Sequence, residues 1–489
     1  MIFNRRSVTI FFKYLMAFSL IIGGMTWWMN RDTRWDAGQA FVQPGSVTEP
    51  RVGVILVALV QPSQYNTRFW RNIVEKLLNT FIPWPINVFV SMDKGVVLMD
   101  PDQPYAVKKF TPSRLADIDG NEKDRDGTPW IERYRNGELD WKEASKDTPF
   151  DIGYFIYPDR KQGMPTPAAK IAAKARYIYY APLKDQYLPH GDQTIQLGKD
   201  AIAILRAAHT QIVAAEFVDA FDPEGKEAAV NRVLDSGVDV LLLGSGQPLS
   251  SDFEELKGSY STIYKIVNKW RAAHANKPVR IAVSPWMASE PGFDQLWLDH
   301  FAASVPQATA PGQSALGIIS LHGLPVRLVK TDSWTRRWPA TSDRLRPRMA
   351  EILKDKGYAN VRIETGFEAF ADAADDPDNQ LLSVNELFKQ ARKAGYAVAV
   401  ALPIEFLAEN TDTLFAHQAY FFDGIAGHRT YAPPPLIQDW MQPYVRRLVD
   451  GNTVIIYAGA LGGAKQPKAS AVLATAMGRV FPAPKAKAP

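Results

Sequence analysis

Cysteine is absent from this chain of 489 residues. Disulfide bonds, thiolate metal sites, iron–sulfur clusters and cysteine nucleophiles are therefore excluded. A Gly-x-Ser-x-Gly segment is also absent, which removes the nucleophile elbow of an α/β-hydrolase. Gly244-Ser-Gly246 is followed by neither a third glycine nor a P-loop lysine, so it is interpreted as a turn at a strand exit. The net charge of +4 is small and spread along the chain, and no nucleic-acid partner is expected.

One apolar segment, Val8–Met29, has the length and composition of a membrane-spanning helix. Its single charge, Lys13, stands near its start, where a lysine can reach the headgroups. Trp27 and Trp28 stand where interfacial aromatic residues are expected. A cleaved signal peptide is the alternative, but no Ala-x-Ala site follows the apolar run. We therefore expect residues 1–30 to be a membrane anchor and residues 31–50 a polar tether.

The charges around this segment predict its orientation. Arg5, Arg6 and Lys13 precede or begin it, whereas Arg31 and Arg34 follow it. The positive-inside rule then favours a cytoplasmic N-terminus. We expect a single-pass protein of the inner (plasma) membrane, with its body on the periplasmic or extracytoplasmic side.

Strand-like and helical segments alternate beyond the tether. Val52–Leu59 is a continuous apolar run of the kind found in buried parallel strands. Further strand-like runs are Val238–Leu243, Val279–Val283, Leu316–Ser320, Val361–Glu364 and Tyr396–Leu402. The predicted helices are Phe69–Thr80, Asp200–His209, Glu227–Leu234, Ser261–His274, Arg346–Lys356, Val384–Ala394 and, as a closing helix, Asp439–Asp450. This alternation predicts an α/β fold with helices flanking mostly parallel sheets.

A polar insertion at about residues 98–150 interrupts the alternation and is expected to lie outside the core fold. It carries closely spaced oxygen-bearing side chains of the kind that bind Ca²⁺, namely Asp117, Asp119, Asn121 and Asp124. The EF-hand pattern is not met, because Thr128 occupies its twelfth position. We therefore favour a solvated loop without metal, with a Ca²⁺ site at these four side chains as the alternative.

Two motifs at strand exits carry chemistry. The run Leu316–Ser320 leads into Ser320-Leu-His-Gly-Leu-Pro325, and ligands of open α/β sheets bind beyond the carboxyl ends of strands. Taken alone, this placement still favours a structural role for His322. A second motif, Pro403-Ile-Glu-Phe-Leu-Ala-Glu-Asn-Thr-Asp-Thr-Leu414, follows the run Tyr396–Leu402.

In their order and separation these motifs resemble the two signatures of the ferrochelatase superfamily. The second motif matches at Pro403, Phe406, Glu409, Thr413 and Leu414, with Asp412 in the place of a glutamate. Weaker similarity extends over residues 51 to about 460, apart from the insertion. The resemblance implies two similar doubly wound, mostly parallel lobes that enclose a tetrapyrrole. We expect them at residues 51–255 and 256–460, followed by a flexible tail at residues 461–489.

The resemblance also implies a function, the insertion of a divalent metal (Fe²⁺) into a porphyrin in haem biosynthesis or a related tetrapyrrole pathway. His322 and Asp412 would handle the metal and the pyrrole protons, with Glu409 behind them. Four residues would contact the tetrapyrrole: Ser320, Pro325, Phe406 and Trp334. Fe²⁺ is then a substrate, and no tightly bound cofactor is expected.

Some residues depart from the family pattern. Asp412 is one methylene shorter than the usual glutamate, Asn410 stands where a second histidine is common, and Glu405 stands where glycine is common. Two alternatives therefore remain. One is a non-catalytic, membrane-anchored protein that binds a tetrapyrrole or a metal and keeps the fold; the other is a ligand-binding ectodomain unrelated to porphyrins.

Overall fold

The computed structural model describes residues 16, 19–25, 47–66, 69–70, 127–128, 130–138, 140–143, 153–156, 180, 183–249, 251–252, 258–275, 277–326, 332–371, 376, 378–379, 381–416 and 439–482. The chain forms two compact units. Met1–Arg34 and Thr67–Arg176 form the smaller one, and Trp35–Asn66 and Tyr177–Pro489 form the larger one. Strands and helices of the larger unit are numbered along the chain below.

The first sheet of the larger unit is entirely parallel, with the order β2-β1-β3-β4. Its strands are β1 (Val52–Ala58), β2 (Ile212–Asp219), β3 (Val240–Ser245) and β4 (Arg280–Val283). β1 and β3 are buried along their whole length and are mostly apolar, because both faces of this sheet are covered. β4 lies beyond residue 255, so the first lobe extends past the boundary that the sequence predicted.

The second sheet has the order β6-β5-β7-β9-β8 and is mostly parallel. Its strands are β5 (Ser314–Leu321), β6 (Asn360–Phe367), β7 (Val398–Pro403), β8 (Arg446–Asp450) and β9 (Thr453–Tyr457). Only the β8–β9 pair within it is antiparallel. In both sheets the first strand along the chain lies between the second and the third, so the two lobes share one doubly wound order.

Helices connect the strands and cover the sheets. They are α1 (His190–Ala208), α2 (Pro223–Asp235), α3 (Ser261–Ala273), α4 (Pro291–Ser304), α5 (Trp334–Asp355), α6 (Val384–Lys393) and α7 (Gln466–Gly478). Local sequence explains where some of them begin. The carboxylate of Asp222 accepts the N–H of Gly225 at the start of α2, and Pro223 supplies a first helical position that needs no donor.

One continuous core joins the two sheets. It includes Leu56 of the first sheet, Ile319 and Val400 of the second, and Trp297 of α4. Separate apolar clusters lie under α2 and α3 in the first lobe and under α6 in the second. The two lobes of the larger unit therefore share their central packing.

The structure corrects the prediction that residues 461–489 form a flexible tail. Most of residues 461–482 are ordered, and α7 packs against α1 of the first lobe. The Ala- and Lys-rich composition indicated disorder, but Ala469, Leu473 and Met477 recur every fourth residue. This spacing places them on one face of a helix, where they join the core. Residues 483–489 lie outside the described residues.

The predicted closing helix Asp439–Asp450 was also wrong. Arg446–Asp450 is instead β8, an edge strand paired with β9. A two-residue turn, Gly451-Asn452, joins them, and Gly451 adopts the positive φ of 61° that such turns need. A tight hairpin thus decides the conformation of this segment.

The smaller unit contains a short helix, Trp130–Arg135, and an antiparallel strand pair, Asp140–Glu143 and Gly153–Ile156. The four side chains of the alternative Ca²⁺ site lie outside the described residues, as does most of the predicted helix Phe69–Thr80. Much of Val8–Met29 lies outside them as well. Among the residues that the structure does describe, no helix has the length and apolarity to cross a bilayer.

Candidate active site

Two neighbouring strands of the second sheet end at the same place. β5 and β7 are parallel neighbours. The strand order reverses between them, because β6 lies on the other side of β5. His322 follows β5 directly, and Ile404, whose N–H donates to the Ser320 carbonyl at 3.1 Å, follows β7. In open α/β sheets this crevice is where ligands bind. The fold thus brings the two sequence motifs together.

Two polar contacts orient His322, one at its backbone N–H and one at its imidazole ring. Its backbone N–H donates to Oε2 of Glu405 at 2.5 Å, and its Nδ1 lies 3.1 Å from the carbonyl oxygen of Gly323. Because a carbonyl only accepts hydrogen bonds, Nδ1 carries a proton. In the neutral ring the lone pair is then on Nε2, the atom that faces Asp412.

Asp412 begins a single helical turn, Asp412–Ala416. Asn410 caps this turn, since its Oδ1 accepts the N–H of Asp412 at 2.7 Å and the N–H of Thr413 at 3.0 Å. His322 Nε2 lies 3.9 Å from Oδ2 of Asp412, and both side chains are 33% exposed. The two atoms are too far apart for a hydrogen bond, and both side chains are partly exposed. The structure therefore brings together the imidazole and the carboxylate that the sequence predicted.

Glu409 lies behind this turn and is 1% exposed. Its Oε2 accepts the hydroxyl of Thr413 at 2.6 Å, and its Oε1 accepts the backbone N–H groups of Tyr444 at 3.1 Å and Ala460 at 2.9 Å. Burial outweighs these hydrogen bonds and raises the pKa of the Glu409 carboxyl to about 7. Gly459 makes room for it, since a Cβ there would lie 2.7 Å from Oε1.

Further carboxylates surround the imidazole. Glu405 accepts the indole N–H of Trp334 at 3.0 Å, and the buried Glu368 accepts the hydroxyls of Ser320 and, at 3.2 Å, Tyr457. Burial alone would lower the pKa of the His322 imidazole. Attraction to the carboxylates around it outweighs burial and holds the pKa above its ordinary value; the contributing groups are Asp412, Glu405 and Glu368.

Aromatic rings flank His322. The rings of Phe370 and Phe406 each lie 5.7 Å from the imidazole, in edge-on contact. Phe370 has a φ of +58°, which bulky residues rarely adopt. Gly323 opposite it has a φ of +95°, and a Cβ at this position would lie 2.6 Å from the Ala369 carbonyl oxygen. The two strand exits are therefore held in unusual backbone conformations around the imidazole.

The predicted tetrapyrrole contacts divide into two groups. Phe406 is half-buried and lies beside His322. Ser320, Pro325 and Trp334 are buried, at 0% exposure for Ser320 and 2% for Trp334. Their surfaces face protein, so in this structure they support Glu368 and Glu405 or fill the core instead of lining an open surface.

Sequence reasoning did not identify Glu368 and Phe370. Both follow β6, whose neighbour β5 leads to His322, and this strand exit was the available signal. The predicted end of that strand at Glu364 placed the exit too early. Among the described residues, no group of three or more His, Asp or Glu side chains could hold a metal ion.

Comparisons with known proteins give only distant likenesses. No family model and no curated protein matches the chain. Among solved structures, SirB from Bacillus subtilis with Fe³⁺ is 12% identical; the match covers 59% of this chain and 90% of that one, with a TM-score of 0.33. DR2241 from Deinococcus radiodurans, described as a multi-domain protein with structural similarity to chelatases, is 13% identical over 59% of this chain and 50% of that one, with a TM-score of 0.29.

A third likeness is to an ABC transporter solute-binding protein from Bradyrhizobium sp. BTAi1 with bound bis-tris. It is 11% identical over 60% of this chain and 74% of that one, with a TM-score of 0.25. TM-scores this low carry no argument about function, so the chemistry of the site is argued from its own residues.

Proposed function

We propose that this protein is a chelatase that takes a divalent metal between His322 and Asp412 and inserts it into a porphyrin. One observation carries the proposal: Nε2 of His322 and Oδ2 of Asp412 lie 3.9 Å apart at the exits of two neighbouring parallel strands. Each side chain is part-exposed, so each is accessible to a metal ion. By the resemblance of its motifs, the substrate metal is Fe²⁺ and the acceptor a tetrapyrrole.

The separation of these two atoms suits a metal ion that is bound for a time and then passed on. Metal–nitrogen and metal–oxygen bonds of about 2.1 Å span at most about 4.2 Å, so one ion fits between the two atoms at a wide angle. Two protein ligands leave other positions of the ion open. An open coordination position is what a metal needs in order to be passed to pyrrole nitrogens.

Metal insertion also requires that two pyrrole protons leave the macrocycle. As the metal passes from His322 to the macrocycle, the lone pair of Nε2 becomes free and can accept one of these protons. The Asp412 carboxylate is a second acceptor beside it. Glu409 adds a carboxyl whose pKa of about 7 lets it hold or release a proton at neutral pH. These residue types match the chemistry of the step.

The aromatic neighbours favour a flat ligand. Phe370 and Phe406 flank His322, and neither ring is fully enclosed. Aromatic rings interact favourably with other π-systems in stacked or edge-on arrangements. A porphyrin presents such a system next to the atoms that would receive the metal.

The test is a metallation assay on the full-length protein in mild detergent. Protoporphyrin is mixed with Zn²⁺, or with Fe²⁺ under anaerobic conditions, and the absorbance is followed. We expect multiple turnovers by the wild type and none above background by His322→Ala. A stoichiometric spectral shift without turnover would instead indicate a binding protein, and no shift at all would point to a ligand unrelated to porphyrins.

We also propose that Val8–Met29 anchors the protein in the inner membrane with the body outside the cytoplasm. The charge distribution around that segment supports this orientation. Protease added to spheroplasts should degrade the body. A body that is cut only after lysis would place it in the cytoplasm.

A further inference from the structure

A glutamine of the first lobe is paired with the loop that carries Asp412. Gln61 follows β1, the strand that occupies the same place in the first sheet as β5 in the second. Its side-chain Oε1 accepts the backbone N–H of Thr411 at 3.0 Å, and its Nε2 donates to Oγ1 of Thr411 at 3.1 Å. Gln61 is 4% exposed and Thr411 2% exposed. Both polar atoms of the Gln61 amide therefore bond to one residue of the opposite lobe.

Thr411 immediately precedes Asp412, so a shift of one moves the other. On the other side of Thr411, the Asn410 side chain accepts the N–H of Asp412. The Asp412 carboxylate thus projects from a turn that is held by Asn410 within the second lobe and by Gln61 from the first. Within the part of the chain that the structure describes, both hydrogen bonds from Thr411 to the first lobe are made with Gln61.

We propose that Gln61 is a positioning residue, which holds Asp412 at its working distance from His322 by pairing with Thr411 across the two lobes. This inference rests on the proposed chelatase function. It names a contribution of the first lobe to a reaction whose reacting groups all lie on the second.

The first lobe holds Gln61 firmly enough for this task. Its backbone N–H donates to Nδ1 of His190 at 3.1 Å, and burial lowers the pKa of His190 to about 4, so the ring is neutral at pH 7 and Nδ1 can accept. Gly191 packs so closely that a Cβ there would lie 2.5 Å from the Gln61 carbonyl oxygen. The hydroxyl of Tyr180 donates to the carbonyl of the next residue, Pro62, at 2.7 Å.

The test compares four variants of the full-length protein in the Zn²⁺–protoporphyrin assay. Gln61→Ala removes both bonds, and Thr411→Val removes the hydroxyl at nearly constant volume. We expect each to lower kcat by about 10- to 100-fold, the scale of a misplacement of about 1 Å, with the KM for porphyrin unchanged. The double variant should be no slower than Gln61→Ala alone, because the two residues act as a unit. Thr411→Ser keeps the hydroxyl and should retain wild-type kcat.

A matched control is Gln193→Ala. Gln193 also bonds from α1 to the second half of the chain, through its Nε2 to the Trp440 carbonyl at 3.0 Å, but it does not bond to the Asp412 turn. We expect wild-type kcat for this variant. Thr411→Val tests the same claim if Gln61→Ala does not fold.

The outcomes separate the inference from the function on which it rests. Wild-type kcat in both Gln61→Ala and Thr411→Val, an equal loss in Gln193→Ala, or a change confined to KM would overturn the positioning role while leaving the chelatase proposal in place. A wild type without any turnover would overturn both.

Discussion

His322 and Asp412 are both held by hydrogen bonds to their own backbone N–H groups. Glu405 accepts the N–H of His322, and Asn410 accepts that of Asp412. Sites held in this way lose little freedom when a ligand binds. Asn410 and Glu405, which depart from the family pattern, are thus the residues that orient the pair. The departures have a structural role in this chain.

At Asp412, replacement of the carboxylate by an amide tests its charge. We expect Asp412→Asn to lower kcat for metal insertion by at least about 100-fold, because an amide neither accepts a proton nor neutralises the metal. Steady-state metallation rates measure this effect. Asp343→Asn, on the exposed face of α5, is the control and should keep the wild-type rate. An active Asp412→Asn enzyme would remove Asp412 from the chemistry.

The raised pKa of Glu409 predicts that the stability of the protein depends on pH. Its pKa is raised from 4.5 to about 7 in the folded protein, so folding favours the protonated carboxyl. The protonated Glu409 carboxyl therefore contributes to the stability of the folded protein. This contribution is complete below about pH 4.5 and is lost as the pH rises through about 7. Glu409→Gln cannot ionise, and its Tm should rise relative to wild type across this window. A Tm difference that does not vary with pH would contradict the assignment.

The site residues differ in how far sequence could identify them. His322 and Asp412 stand in motifs at strand exits, and their proximity follows once β5 and β7 are neighbours. Glu368 and Phe370 belong to no motif, and they reach the site only because β6 pairs with β5. Gln61 lies far away in the chain and is brought to Thr411 by the packing of two lobes. Such contacts depend on tertiary structure.

At the scale of elements, buried strands were the most predictable feature. β1, β3, β5 and β7 are covered on both faces, and their continuous apolar runs show this directly in the sequence. β8 has one-sided burial and is fixed by pairing with β9, so its own composition did not distinguish it from a helix. Helix α7 was missed because Ala- and Lys-rich segments resemble disordered tails unless their partner surface is known.

Helix α7 also gives a stability prediction. Leu473 is 1% exposed and belongs to the core that joins the lobes. Leu473→Ala should lower the free energy of unfolding by about 2–5 kcal/mol, the usual cost of such a cavity. Urea denaturation followed by circular dichroism measures it. Lys468→Ala, on the exposed face of the same helix, should change it by less than about 0.5 kcal/mol. Equal effects of the two substitutions would mean that α7 is not docked.

At the scale of the whole molecule, one strand order occurs twice but serves two purposes. In the second lobe, the exits of the two central strands carry the imidazole and the carboxylate. In the first lobe, the equivalent exit of β1 carries Gln61, which bonds to the opposite loop. The first lobe therefore bonds to the turn that carries Asp412. The similar topology was expected from the family resemblance, whereas this division of roles is visible only in the contacts.

The central claim is that one divalent metal ion is bound by both His322 and Asp412. Crystals of the wild type and of His322→Ala, soaked in Zn²⁺, would test it through anomalous diffraction at the zinc edge. We predict a peak within about 2.3 Å of His322 Nε2 and of an Asp412 carboxylate oxygen, absent from His322→Ala. A wild-type crystal with zinc bound elsewhere but none between these atoms, or a peak that persists without the imidazole, would contradict the account.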